Sequence, residues 1–118
     1  MICLAAGVAL VGLGDGVVLR WRHAVEKTLW EETWRATPQG LSLVAAYIEG
    51  AGAGMEPPPD ARRARHGWTW TPRGDARSDV TLRRSGATED GTICARGACR
   101  AMSALAGAAD PVHLKPCP

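Results

Sequence analysis

Ten consecutive residues, His23-Ala24-Val25-Glu26-Lys27-Thr28-Leu29-Trp30-Glu31-Glu32, gather an imidazole, an ammonium and three carboxylates in a short stretch. A carboxylate beside a histidine fixes the imidazole tautomer and favours its protonated form. Three uses fit such a pair. His23 with Glu26 or Glu31 could bind a carboxylate or amide ligand, or form a pH-sensitive contact, or make His23 a general base acting on a small molecule. The plainer alternative is a loop anchor, with Glu26 accepting backbone N–H groups where a strand ends. Zinc peptidases place two histidines four apart around a glutamate on a helix, and that spacing is absent here. No nucleophile accompanies His23, so a binding role for His23, Glu26, Lys27 and Glu31 is favoured over catalysis. Gly50, Gly52 and Gly54 form a second candidate segment, whose amides could face an anion. They lack the strand-to-helix context and the terminal Lys-Ser/Thr of a phosphate loop, and no cofactor is implied. Their simpler use is to let the chain pass close against Trp30 or Trp34.

The cysteines make another constellation. Cys94 and Cys99 enclose Ala95-Arg96-Gly97-Ala98, a length that a hairpin can close with a disulfide. Cys117 could instead pair with either of them and tie the C-terminal end to a sheet. A third arrangement is a closed zinc site, since Cys94, Cys99, His113 and Cys117 form a C-x4-C-x13-H-x3-C set.

Elements that would position these residues follow from the period of the pattern. Val17, Leu19 and Trp21 alternate with Val18, Arg20 and Arg22, which predicts a half-buried strand. Trp30, Glu32 and Trp34 face one way from a second strand, and Glu31, Thr33 and Arg35 the other. Thr37-Pro38-Gln39-Gly40 is a turn, so 30–37 and 41–48 form a hairpin. Gly50–Pro59 is irregular, ending in an extended proline run. Further short strands are predicted over 65–71 and 79–84, separated by Pro72-Arg73-Gly74-Asp75, with a loop over 85–91. Weaker strands cover 92–94 and 98–102, a short helical stretch runs from Met102 to about Gly107, and 112–115 closes the sheet. The whole predicts a mainly β, single-domain protein, a small antiparallel sandwich or partly closed barrel spanning 15–118.

The chain has 118 residues, enough for one core, and includes 14 Gly, 8 Pro and 5 Trp but no Phe. Its formal charge of +2 is unevenly spread along the sequence: residues 15–60 are acidic on balance, and 62–84 carry seven Arg against Asp75 and Asp79. That division suggests an acidic face opposite a basic one. Nucleic acid is not the expected partner, because Gly and Pro break the Arg-rich segment and the net excess is small. Trp68 and Trp70 near Arg62, Arg63 and Arg65 read more simply as packing than as a base-stacking platform. Residues 1–14 form a signal-like apolar segment, which predicts export to the periplasm or cell envelope with cleavage near Asp15; the alternative is a buried first strand or helix. No Lys or Arg precedes the segment. As a helix of thirteen residues it would cover only about 20 Å, too short for a stable transmembrane span.

His23-Ala24-Val25-Glu26-Lys27-Thr28, then Glu31 and Glu32, then Gly50-Ala51-Gly52-Ala53-Gly54-Met55-Glu56-Pro57-Pro58-Pro59 resemble the DUF1850 family of small bacterial proteins. The resemblance runs from Leu19 to Cys117 and includes Gly67-Trp68 and the Cys94/Cys99 pair. It departs at Ala24, where relatives commonly carry Ser, so a serine nucleophile is not available at that position. Family members are often encoded beside components of TAXI-type TRAP transporters, importers of small organic anions. The resemblance therefore implies a non-enzymatic accessory of the cell envelope, with TRAP receptor or membrane components, or a small organic anion, as partners. It carries over a context and no mechanism.

Overall fold

The computed structural model describes residues 1–22, 27–50, 57–84 and 90–118. Eleven strands and one short helix follow in chain order among them: β1 (Ile2–Ala6), β2 (Ala9–Gly14), β3 (Gly16–Arg22), β4 (Leu29–Thr37), β5 (Gly40–Glu49), β6 (Arg62–Ala64), β7 (Gly67–Trp70), β8 (Val80–Leu82), β9 (Thr92–Ala95), β10 (Ala98–Ala101), α1 (Met102–Ala106) and β11 (Val112–Pro116). They form two antiparallel sheets. The larger has seven strands in the order β10-β9-β3-β4-β5-β7-β6, and the smaller has four in the order β2-β1-β11-β8. Among the described residues each sheet keeps two free edges, so the fold is a sandwich and not a closed barrel.

Alternation sets which side chains meet between the layers. Val17 and Leu19 of β3, Trp34 of β4, Leu41 of β5 and Ile93 of β9 come from the larger sheet, and Ile2, Leu4, Val80, Val112 and Leu114 from the smaller. Ile2, Leu4, Leu41, Val112 and Leu114 are fully buried. Removing a Leu or Ile of this kind costs ~2–5 kcal/mol, so this shared face holds the layers together.

The β4–β5 hairpin turns through Pro38-Gln39, with Thr37 and Gly40 paired across its neck. The register then shifts between Thr33 and Trp34, leaving Val44 as the extra residue on β5. The shift keeps Trp34 and Leu43 on the core side, while Glu31 and Tyr47 stay on the opposite face. Gly67 is sterically required, because a Cβ there would collide with the Ile48 carbonyl of the neighbouring strand.

Residues 1–14, the signal-like stretch of the sequence, are folded here as the β1–β2 hairpin. Ile2, Leu4 and Ala6 alternate toward the core, and Gly7, with φ +60, supplies the first position of a two-residue turn before Val8. β1 lies between β2 and β11 and so joins the two ends of the described chain in one sheet. The only helix among the described residues, α1, spans five residues, and no helix there is long and apolar enough to cross a membrane.

The cysteines pair as Cys94–Cys99 and Cys3–Cys117. The first bridges register partners on β9 and β10. The first is the disulfide expected of the Cys94/Cys99 pair; the second replaces the alternative of Cys117 with either of them, because pairing of β1 with β11 sets Cys3 opposite Lys115, close to Cys117. It also corrects the zinc alternative, since Cys94, Cys99 and Cys117 are all consumed as disulfides and offer no thiolate.

Candidate functional site

Antiparallel register lines up one polar row across the face of the larger sheet turned away from the core. Thr92 of β9 pairs with Arg20 of β3, Arg20 with Glu31 of β4, Glu31 with Tyr47 of β5, Tyr47 with Thr69 of β7, and Thr69 with Arg62 of β6. Cross-strand partners share a face, so these side chains stand side by side. Glu31 is the pivot. Arg20 Nε donates to its Oε2 at 2.7 Å, and Arg65 Nη2 donates to its Oε1 at 2.5 Å. Glu31 is only 7% exposed. An unpaired carboxylate so placed would be costly, and the two charge-assisted hydrogen bonds offset its lost hydration. Burial pushes the Glu31 carboxyl up, but the hydrogen bonds from Arg65 and Arg20 outweigh it, and the group is held below its ordinary range.

Arg65 reaches Glu31 from the tight turn between β6 and β7. Its guanidinium also lies over the Tyr47 ring, 3.8 Å from the centroid, a cation–π contact that covers the buried ring. The backbone of Arg65 has φ +53, a left-handed conformation that disfavours residues with a Cβ. Ion pair and ring contact together hold a side chain at a position where glycine would be easier.

The row continues with a second set of contacts. Arg22 Nη1 donates to the Lys27 carbonyl at 3.1 Å and lies 3.8 Å from Glu49 Oε1. The Leu29 N–H donates to the same Glu49 oxygen at 3.4 Å. Five arginines (Arg20, Arg22, Arg35, Arg62 and Arg65) therefore share this face with Glu31 and Glu49. The Arg20 and Arg65 side chains remain 40% and 56% exposed, so both present further N–H donors outward. Such a surface can bind carboxylates or an acidic partner by charge and by forked hydrogen bonds.

The opposite face carries an aromatic row in the same register: Trp21, Trp30, Ile48, Trp68 and Arg63. Trp21 and Trp30 stack with ring centroids 6.3 Å apart, and Arg63 lies over Trp68 at 5.1 Å. Beside this row, burial pushes the Glu32 carboxyl up despite the 3.3 Å hydrogen bond from Trp34 Nε1. These rings pack the sheet, in line with the reading of Trp68 and Trp70 as support.

Of the candidate residues, Glu31 stands at the centre of the polar row, and Lys27 borders it through its backbone. Gly50 also borders this end of the sheet, and its N–H donates to the His66 carbonyl at 2.8 Å. It has φ +63, and nothing lies within 4 Å of the position a Cβ would take, so it is needed for its backbone conformation and not for close approach to Trp30 or Trp34. His23, Glu26, Gly52 and Gly54 lie outside the described residues. The division into an acidic and a basic face is corrected by the register, which threads Glu31 and Glu49 among the arginines.

Sequence reasoning passed over Arg20, Tyr47 and Arg65. Arg20 and Glu31 sit at alternating positions of two adjacent predicted strands, which was a usable signal. Arg65 carried none, because its approach depends on the turn that reverses β6 into β7. A second cluster went unread as well. His113 Nδ1 of β11 lies 2.9 Å from Asp79 Oδ1 and 3.3 Å from Thr81 Oγ1, and the imidazole holds the Asp79 carboxyl below its ordinary range. This contact ties β8 to β11. Among the described residues no group of three or more His, Cys, Asp or Glu side chains is placed to hold a metal ion.

The sequence matches the family model described as a domain of unknown function (DUF1850) over residues 17–102. The matched span takes in all of the larger sheet except Gly16, together with β8. No curated protein and no solved structure matches the chain.

Proposed function

The chain belongs to the DUF1850 family, and we propose that it is a non-enzymatic accessory of the cell envelope that contacts an anionic partner through the Arg20–Glu31–Arg65 row. The observation that carries this reading is the pairing of both Glu31 oxygens by arginines that keep outward donors. A buried carboxylate orients two guanidinium groups on a rigid sheet, and rigid, pre-positioned donors lose little freedom on binding. We also propose a role in partner or ligand binding for His23, Glu26 and Lys27, with Gly50, Gly52 and Gly54. The partner is taken from the family resemblance: the receptor or membrane components of a TAXI-type TRAP importer, or the small organic anion it carries. Two disulfides and no free cysteine support an oxidising compartment, the periplasm or envelope. Because residues 1–14 take part in the core as β1 and β2, the proposal places them in the mature domain, whatever directs its export.

The test is retention of TRAP components from native-host membranes on the immobilised protein, together with calorimetric titration of small carboxylates. Arg65→Gly removes the guanidinium yet suits the left-handed turn, and Arg20→Gln removes the second charge. Retention or anion binding should fall at least tenfold in the double variant, and in the wild type with rising salt. Undiminished binding by a folded double variant would overturn the assignment.

A further inference from the structure

Among the described residues the two sheets end in four free edges, and three of them are guarded against pairing with another strand. β6 has three residues, two of them Arg62 and Arg63, whose charges would oppose each other in self-pairing. β8 has three residues flanked by Asp79 on one side and by Arg83 and Arg84 on the other. β10 carries Arg100, is fastened to β9 by the Cys94–Cys99 bridge, and runs directly into α1. Natural sheets use short strands, charges and coverings of this kind to stop edge-to-edge association.

β2 has a bulge at Leu13 and Arg96 packed against Gly14 at its far end, but its regular part, 9–12, has none of these guards. Its six residues, Ala9-Leu10-Val11-Gly12-Leu13-Gly14, contain no charge and no proline. Among the described residues, the large hydrophobic side chains left exposed are Met1, Val8 and Leu10, all on this hairpin. The backbone completes the picture. Ala6 and Ala9 close a two-residue turn and so form a hydrogen-bonded pair, after which bonding alternates along the ladder. Val11 bonds inward to Leu4, and the N–H and C=O groups of Leu10 and Gly12 point away from β1.

We propose that β2 pairs antiparallel with β2 of a second copy of this chain about a two-fold axis at Val11. In that register Leu10 of one copy stands opposite Gly12 of the other, and the two pairs exchange four backbone hydrogen bonds. Met1 Sδ lies 3.3 Å from where a Cβ on Gly12 would sit, so the arriving leucine meets an apolar neighbour. The paired β2 segments themselves bring no charge to the axis, and the smaller sheets of the two copies become one continuous sheet of eight strands.

Sedimentation of the full chain at several concentrations tests this, with Leu10→Lys and Leu10→Asp as separate variants. The wild type should sediment as a dimer with Leu10 and Gly12 amides protected from exchange. Each variant should be folded and weaken the dimer on the order of 100-fold. Mixing the two variants should restore the dimer, which loss of folding could not produce. A wild type that remains monomeric at millimolar concentration, a dimer indifferent to both substitutions, or a mixture that stays monomeric would each overturn the proposal.

Discussion

Removing the Cys3–Cys117 disulfide should destabilise the domain far more than removing Cys94–Cys99, although both are single covalent links. The bridges close rings of very different size, with sequence separations of 114 and 5. Loop-closure entropy withheld from the unfolded chain grows with the logarithm of ring size, which gives about 5 kcal/mol for the large ring and about 2 kcal/mol for the small one. Domains of this size are stable by only ~5–15 kcal/mol, so the larger loss could consume most of the margin. The site of each bridge points the same way. Cys3 is buried and its strand lies between two others in the smaller sheet, whereas β10 is an exposed edge. Cys3→Ala/Cys117→Ala and Cys94→Ala/Cys99→Ala avoid stray thiols, and urea titration followed by tryptophan fluorescence gives both midpoint and slope. The 3/117 variant should lose at least ~2 kcal/mol more than the 94/99 variant, and its unfolded state should be more expanded, raising the slope. Equal losses, or a greater loss from the small ring, would refute the reasoning.

Two other outcomes test the interior of the larger sheet. Gly67→Ala forces a methyl into the Ile48 carbonyl and should cost more than ~3 kcal/mol, lowering Tm by roughly 10 °C or more in a thermal melt; a Tm close to that of the wild type would show that β5 and β7 can part without loss. Glu31 has its pKa lowered on folding, so its contribution is complete above its unfolded value of about 4.3 and is lost as the pH falls through the lower folded value. The Tm advantage of wild type over Glu31→Gln should therefore be level from pH 7 to about 5 and shrink below about 4, and an advantage that ignores pH would contradict the assignment of both arginines to this carboxylate.

Much of the larger sheet was legible because its strands obey a two-residue period. Val17, Leu19 and Trp21 gave β3, and the Thr37–Gly40 turn fixed the β4–β5 hairpin, with strand ends moving by only a residue or two. β1 and β2 were obscured because their residues are uncharged and apolar on almost every position, so composition spoke for a leader while the alternation of Ile2, Leu4 and Ala6 was easily overlooked. β6 was missed for a different reason. Arg62 and Arg63 have no apolar alternation, and only β7 beside them makes a strand. The site was half visible: Glu31 could be named from its neighbours in sequence, but its partners Arg20 and Arg65 are 11 and 34 residues away, and only the register brings them together. The Val44 bulge illustrates the same limit, since one extra residue decides which face later side chains take, and no local propensity announces it.

The position of β11 between β1 and β8 bears on the order in which the protein can be made. As a ribosome releases the chain from its N-terminal end, the strands of the larger sheet, 16–101, emerge as an almost unbroken run and can pair with one another. β1 has emerged before all of them but lacks its inner neighbour until 112–116 appear. Until then the apolar side of the larger sheet, with Val17, Leu19, Trp34 and Leu41, has no complete layer to cover it. A nascent or translocating chain would hold this surface open until 112–116 have emerged, and late-forming contacts between distant segments are slow to close. β11 thus acts as the closing stave of the domain, and a chain stopped before 112 would emerge with nearly all these strands and an uncovered core.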